Sequence, residues 1–410
     1  MDRGTLRTLR AQPGYPVFAG AATLARISDE MFSVGVVLLV LDRTGSAGLA
    51  GLVVAAITLP SLLTAPLLGA WLDLTGRRRS LMVLDQILIA VVLVAIIALT
   101  GNGPEWSVPA VTLLAGLTYP LSFGGFTSLI PAIVPEELLA GANALEASIF
   151  NFALVIGPAL AGTLAAVFDP AVSLAIEAVL AIAALFMILL IPNLDRAGQR
   201  EDGRSLGDVV AAGLRQIVEV PQLRGVTATG ALGLAGLGLL TIAFPLFAVE
   251  HLGADRNDAG YLWAAFAIGS TVGALTLVRL QRRFHSERIV VVAVATFGAL
   301  MLLWPLAASL PVMLGLVALA ALADGPGLAA TFAVRQQRVP ADLYGQVFTT
   351  AAGLKVGAFS LGAALAGPVA TGLGSAEAIL VAAAMQFAAA GAGVALMRMP
   401  ARRRSPTAAG

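Results

Sequence analysis

Long runs of apolar residues, broken at fairly regular intervals by short polar segments, dominate the chain. Windows free of charged residues cover 44–72, 86–104, 106–135, 147–168 and 178–194 in the first half, and 225–249, 259–278, 289–323, 356–376 and 378–397 in the second. A bilayer-spanning helix needs about 20 mostly apolar residues. The window 289–323 holds one such helix, a turn near Ser309-Leu310-Pro311, and most of another. With a charged first helix added, twelve spans are expected: 15–41, 47–71, 80–99, 108–130, 142–168, 171–191, 225–249, 259–280, 288–308, 311–334, 346–370 and 376–397. Helices rather than sheets are expected, because a helix satisfies its own backbone where no water is available.

Composition narrows the class. Hydrophobic residues make up 58% of the 410 and charged residues 12%, against about 45–50% and about 25% in soluble chains. Together with a mean hydropathy of +0.90, this excludes a soluble enzyme, a disordered protein and a nucleic-acid binder. A net charge of +1 adds little. The absence of cysteine removes disulfides, thiolate metal sites and cysteine nucleophiles, and two histidines, His251 and His285, make no histidine-rich metal site. No cofactor is called for. Residues 1–13 are polar, and the apolar segment after them is too long for a signal-peptide core, so it reads as a retained helix.

The basic residues set an orientation. With the N-terminus inside, the inner segments hold 21 arginines and the outer ones only Arg43 and Arg256; the last two of the 25 basic residues, Arg26 and Lys355, fall within spans. This bias predicts a multi-pass protein of the cell inner (plasma) membrane with both termini cytoplasmic. The longest polar stretch, 192–224, joins the sixth and seventh spans. Within it Ser205 and Asp208 have capping-box spacing, and Leu206, Val209, Val210, Gly213, Leu214, Ile217 and Val218 follow with helical period. A short amphipathic helix lying on the inner membrane face is expected.

The two halves resemble each other. Shifted by 205 residues, 134–165 falls on 339–370 with 11 identities in 32 positions, including Val134-Pro135 on Val339-Pro340 and Gly157-x-x-Leu160-Ala161-Gly162 on Gly362-x-x-Leu365-Ala366-Gly367. Two six-helix bundles, 1–191 and 225–410, follow, joined by the linker 192–224. Parallel repeats of this kind point to a transporter with its site between the halves near the midplane.

Between the second and third spans stands Gly69-Ala70-Trp71-Leu72-Asp73-Leu74-Thr75-Gly76-Arg77-Arg78-Arg79. Gly69 permits close backbone approach, Gly76 a tight turn, and Asp73 is an acid in a basic loop, suited to pairing with arginine or a helix N-terminus. A positive-inside turn with an incidental acid fits the same residues. With twelve spans and two halves, this segment resembles the signature loop of the major facilitator superfamily, Leu74 replacing a basic residue. The resemblance implies an all-α fold of two pseudo-symmetric six-helix bundles, with Gly69, Asp73, Gly76, Arg77 and Arg78 gating the conformational change and Asp73 facing the helix that starts near Gly345. Gly157-Pro158-Ala159-Leu160-Ala161-Gly162 is similar to the motif of the family's antiporters and exporters. Proline kinks a helix, and Gly157 and Gly162 would thin it at the bend, although plain helix packing fits as well. The fourth span lacks the arginine many drug–proton antiporters carry. Ser28-Asp29-Glu30, Leu41 to Ser46, Ala142-Asn143-Ala144-Leu145 and Asn151 resemble the enterobactin-exporter and macrolide-efflux branch.

Ionisable residues inside spans are expensive and mark function by default. Asp29 and Glu30 lie about 14 residues into the first span, about 1.5 Å apart per residue along the axis. Arg26, at i−3 and i−4, is placed to neutralise one of them, leaving one carboxyl able to carry a proton. A packed arginine–acid cluster is the alternative. Asp324, in Asp324-Gly325-Pro326-Gly327, and Lys355, the only lysine, lie on adjacent spans and are expected to pair or to bind substrate, unless Lys355 snorkels. Glu177 would line the cavity or sit near the interface. Asp85 and Glu146 are expected near solvated helix ends. Tyr119, Phe123, Phe126, Phe150, Phe152, Trp263 and Phe266 are candidate cavity aromatics.

The sequence thus predicts a secondary transporter that exports a small amphiphilic molecule by proton antiport through alternating access, functional as a monomer, with protons and the bilayer as its other partners and no nucleic acid. A same-fold importer and a non-transporting scaffold or sensor remain open. No nucleotide-binding loop, hydrolytic triad or metal set is visible.

Overall fold

The computed structural model describes residues 3–192, 205–254 and 258–400. Residues 193–204 of the expected linker and several topology-setting arginines (Arg196, Arg200, Arg204, Arg256 and Arg402 to Arg404) lie outside them. Among the described residues every regular element is helical.

A short α1 (Arg3–Ala11) precedes α2 (Tyr15–Thr44), α3 (Ala47–Thr75) and α4 (Arg78–Leu99). The fourth span is broken into α5 (Ser107–Pro120), a π-helical turn (Leu121–Gly125) and α6 (Phe126–Ile133). Then come α7 (Glu136–Val167), α8 (Pro170–Leu190) and the linker helix α9 (Leu206–Glu219). The second half runs through α10 (Pro221–Leu252), α11 (Ala259–Thr276), a short α12 (Leu280–Arg283), α13 (Ser286–Met301), α14 (Leu310–Arg338), α15 (Tyr344–Leu373) and α16 (Ser375–Arg398).

Eleven helices among the described residues have the length and apolar composition to cross a membrane. The twelfth long helix is α2. Its Arg26, Asp29 and Glu30 dilute its apolar character, but its 30 residues reach ~45 Å at 1.5 Å per residue, and it packs on α7 and α8 inside the first bundle. Large apolar side chains such as Leu63, 77% exposed, lie on the outer surface, as expected where the solvent is lipid.

Each half has its own core. Phe32, Val36, Leu93 and Leu174 pack in the first, and Leu240, Phe244, Phe297, Met301 and Trp304 in the second. The halves meet where α3 lies on α15 and where α7 lies on α11 and α14. These contacts exchange corresponding helices across a pseudo-twofold relation. The repeat also governs contacts within each half. A Cβ on Gly157 of α7 would lie 2.5 Å from the Glu30 Cβ of α2, and one on Gly362 of α15 would strike the Ala235 backbone of α10. Both members of each contact differ by 205 residues. Gly162 does not share this role: a Cβ there, or on its counterpart Gly367, meets nothing within 4 Å. Five residues turn a helix by about 140° at 3.6 residues per turn, so Gly157 and Gly162 cannot face one neighbour.

The linker helix divides its expected apolar residues between two faces. Ser205 and Asp208 form the capping box; Val209, Gly213 and Ile217 pack onto α3, α10 and α15, while Leu206, Leu214 and Val218 of the same expected stripe are exposed. Gly213 accommodates the Gln346 side chain, whose Nε2 donates to the Val210 carbonyl at 3.4 Å. Leu74, the departure from the signature loop, joins this apolar cluster with Val209 and Ile217, where a basic side chain would be desolvated.

Gly157→Ala and Gly362→Ala should each lower the melting temperature of the detergent-purified protein, since overpacking costs about 1–3 kcal/mol. Gly162→Ala and Gly367→Ala should leave it unchanged or raise it slightly, because alanine favours the helix by about 1 kcal/mol. Equal losses at all four positions would contradict the repeat contact.

Candidate functional site

At the arginine-rich end of the molecule the first turn of α15 has backbone N–H groups that its own helix cannot use. Asp73, near the end of α3, accepts both: Gly345 N–H donates to Oδ1 at 2.8 Å and Gln346 N–H to Oδ2 at 2.7 Å. A carboxylate at a helix N-terminus also meets the positive end of the helix dipole. This is the contact the family resemblance implies. Gly69, one turn back, lets α3 approach until a Cβ there would strike Gln346 and Thr349; Thr349 Oγ1 donates to the Ala65 carbonyl at 2.7 Å. Gly76 ends α3 in the left-handed region, at φ 59°, which turns the chain into Arg77 and α4.

Two further polar contacts join the halves, both through α7. Asn143 and Gln336 of α14 exchange amide hydrogen bonds at 2.8 and 2.9 Å. Asn151 Nδ2 donates to Ser270 Oγ on α11, and Ser270 Oγ donates to Asp324 Oδ2 on α14, each at 2.8 Å. Every inter-half hydrogen bond among the described residues lies at the basic end or near mid-helix. Above the Asn143 contact, Tyr119, Phe123, Phe150 and Phe332 form a chain of rings with centroids 4.9, 5.5 and 6.0 Å apart. The ring chain crosses from the first half into the second. Of the other candidate aromatics, Phe126, Trp263 and Phe266 belong to the cores of their own halves and Phe152 is 48% exposed. At Gly124, in the π-helical turn, α15 approaches so closely that a Cβ would lie 2.5 Å from the Thr349 Cα.

The first half holds a cluster of buried charge. Among the described residues Arg26 makes no ion-pair contact with Asp29 or Glu30. Its Nη2 lies 2.6 Å from Glu146 Oε1 on α7 and 3.3 Å from Thr127 Oγ1 on α6, with the guanidinium 4.0 Å from the Phe150 ring centroid. Thr127 donates to the same Glu146 oxygen at 2.6 Å. Side chains on a helix lean toward its N-terminus, so Arg26 reaches toward the basic end, away from the acids that follow it. Glu146 is therefore buried, as is Asp85; neither sits at a solvated end. Asp85 accepts from Ser122 of the π-helical turn and from Gln86, both at 2.9 Å, and lies within electrostatic reach of Asp29. Asp29 Oδ2, Asp85 Oδ1 and both carboxyl oxygens of Glu177 are buried without a hydrogen-bond partner. Glu30 follows on the neighbouring face of α2, its Cβ against Gly157.

The second half is charged in the opposite sense. Asp324 is held by Ser270 and forms no ion pair with Lys355 among the described residues. Arg335, counted in the sequence only among the topology-setting arginines, is buried in α14 beside the Phe348 ring, 5.7 Å from its centroid. Gln336, Ser270, Gln346 and Arg335 carried no sequence signal beyond being polar groups near apolar windows. Asn143 and Asn151, by contrast, stood in the segments similar to the efflux branch.

A family model for the Major Facilitator Superfamily matches residues 18–348. The chain is 31% identical over 379 residues to an uncharacterised MFS-type transporter of Sinorhizobium fredii, covering 89% of this chain and 90% of that one. It is 30% identical over 403 residues to the multidrug efflux pump Tap of Mycobacterium tuberculosis, covering 93% and 92%. The crystal structure of a bacterial homologue of the iron transporter ferroportin, in its outward-facing state, superposes with a TM-score of 0.75 at 16% identity, over 93% of this chain and 98% of that one; at that identity the likeness concerns the fold alone. With the sequence match running through most of the chain and two helical bundles joined as the repeat requires, this protein belongs to the Major Facilitator Superfamily of membrane transporters.

Proposed function

We propose that the protein exports a small amphiphilic molecule across the plasma membrane in exchange for protons, by alternating access between the bundles 1–191 and 225–410. The observation that carries this reading is the carboxylate set in the first bundle. Asp29, Asp85 and Glu177 have buried oxygens without partners, while Arg26, the base within the span, is committed to Glu146. Carboxyl groups so placed can take up and release protons without breaking an ion pair. Similarity to a multidrug efflux pump supports the outward direction, and the arginine bias supports both termini and the Asp73 loop being cytoplasmic.

In this reading α7 couples the proton to the inter-half contacts. Glu30 presses on Gly157, and Arg26 holds Glu146. Asn143 and Asn151, which bond the second half, flank Glu146 on the same helix. A change of charge at Asp29 or Glu30 shifts α2 against α7 and so loads or releases those contacts. Asp73, with Gly69, Gly76, Arg77 and Arg78 around it, holds the cytoplasmic end shut until then. Pro158 frees α7 to bend next to Gly157. Asp324 and Lys355 face the polar part of the substrate.

Everted vesicles from an efflux-deficient host test the coupling. A panel of naphthalene-2-sulfonate, naphthalene-2-sulfonamide and ethidium covers anionic, neutral and cationic amphiphiles. An acidic lumen should drive uptake of at least one, an uncoupler should abolish it, and Asp29→Asn should reduce it about ten-fold or more. Uptake only with the opposite gradient would establish import, and uptake untouched by Asp29→Asn would remove that carboxyl from the mechanism. A second test addresses α7. Arg26→Met or Glu146→Met alone should cost about 3–5 kcal/mol, because each leaves a buried charge unpaired. The double variant should recover most of the melting temperature and still transport poorly. Full transport by the double variant would show that the pair only stabilises the fold.

A further inference from the structure

The interior charges of the two halves are not equivalent, and the second half has cations without partners. Arg335 is 3% exposed, its Nε and Nη2 meet no acceptor, and it forms no ion pair among the described residues. Lys355 is partly buried, with its side chain running along α10 beside Gly230: its Cε lies 3.7 Å from where a Cβ on that glycine would stand. Lys355 likewise forms no ion pair among the described residues. Asp324 is the one carboxylate in the middle of these helices, and it already accepts from Ser270. Lys355 is within electrostatic reach of both Asp324 and Arg335. Asp324 is within reach of Lys355 alone, since Arg335 lies eleven residues further along α14, about 16 Å away at 1.5 Å per residue. Arg335 thus has no acid of its own, and an unpaired charge in a low-dielectric interior is costly.

Packing does not require these charges. In the 205-residue register Lys355 corresponds to Phe150, and Arg335, four residues before the matched stretch, to Ile130. The same bundle architecture closes with apolar residues at both places. A guanidinium presents donors in a fork that fits the paired oxygens of a carboxylate, sulfonate or phosphate. Next to it stand Phe348 and the ring chain through Phe332 and Phe150, which suit an apolar or aromatic body.

We infer that Arg335 and Lys355 form the binding site for an anionic headgroup, so that the transported molecule is an amphiphilic organic anion. The inference rests on the export reading only in taking these two residues as lying on the substrate's path; binding tests it independently of transport. The anion neutralises the surplus positive charge of the second half while the first half exchanges protons on its carboxylates, and cargo and proton thus occupy separate bundles.

Equilibrium dialysis of the purified full-length protein in uncharged detergent measures this with three probes of one body: naphthalene-2-sulfonate, its neutral sulfonamide, and 2-naphthylmethylammonium. The sulfonate should bind the unaltered protein about ten-fold tighter than the sulfonamide. Arg335→Gln and Lys355→Gln should each remove most of that preference, weakening sulfonate binding far more than sulfonamide binding. Arg335→Lys should retain part of it, and Arg215→Gln, on the exposed face of α9, all of it. Because Arg335 has no partner to orphan, Arg335→Gln should melt no lower than the unaltered protein; if it does not fold, Lys355→Gln decides. Equal binding of the sulfonamide or the ammonium, a preference that survives both substitutions, or no binding of the sulfonate overturns the inference. Proton-driven vesicle uptake of neutral or cationic probes alone would overturn it while leaving the export reading intact.

Discussion

The first turn of α15 begins with backbone donors that have no partner in their own helix, and the protein satisfies them with a carboxylate from the opposite bundle. The rest of the inter-half surface is arranged around that contact. Gly69 brings α3 close enough for Asp73 to reach Gly345 and Gln346. Gln346 in turn meets α9 through its side chain, so the linker helix rests on the same residue that Asp73 caps. Leu74 completes the apolar bed under α9. Charge-assisted hydrogen bonds of this kind are roughly twice as strong as neutral ones.

Duplication separates what the fold needs from what the activity needs. The contact of Gly157 with Glu30 recurs as that of Gly362 with Ala235, so close approach of the fifth helix to the first belongs to the six-helix unit itself. The charged residues do not recur. In the same register Glu30 corresponds to Ala235, Glu146 to Ala351, and Lys355 to Phe150. Acids collect in one bundle and unpaired bases in the other. In the proposed mechanism this asymmetry gives the halves different tasks on a shared scaffold.

Much of this was legible in the sequence because lipid imposes simple rules. Charge-free windows marked the spans, and the contact of Asp73 with α15 followed from the loop motif. Side-chain direction was not legible. Spacing alone put Arg26 beside Asp29 and Glu30, but its reach toward the helix N-terminus takes it to Glu146, 120 residues away. The π-helical turn at Leu121–Gly125 leaves no trace in an apolar run, yet it carries Ser122 to Asp85 and Gly124 to α15. Burial of Glu146, Asp85 and Arg335 depends on how helices stagger, which hydropathy does not encode. The amphipathic pattern of α9 announced a surface for its apolar stripe without saying whether lipid or protein supplies it.

The chain has no cysteine, so pairs of introduced cysteines can carry spin labels without background. One pair, at Arg77 and Asp342, reports the basic end, and another, at Gly51 and Thr371, the far end. The central claim is that Asp73 holds the basic end shut and that the two ends alternate. Pulsed dipolar distances before and after Asp73→Asn test it directly. The account predicts that the substitution lengthens the distance at the basic end and shortens the one at the far end. An unchanged basic-end distance, or an opening there with no change at the far end, would contradict it.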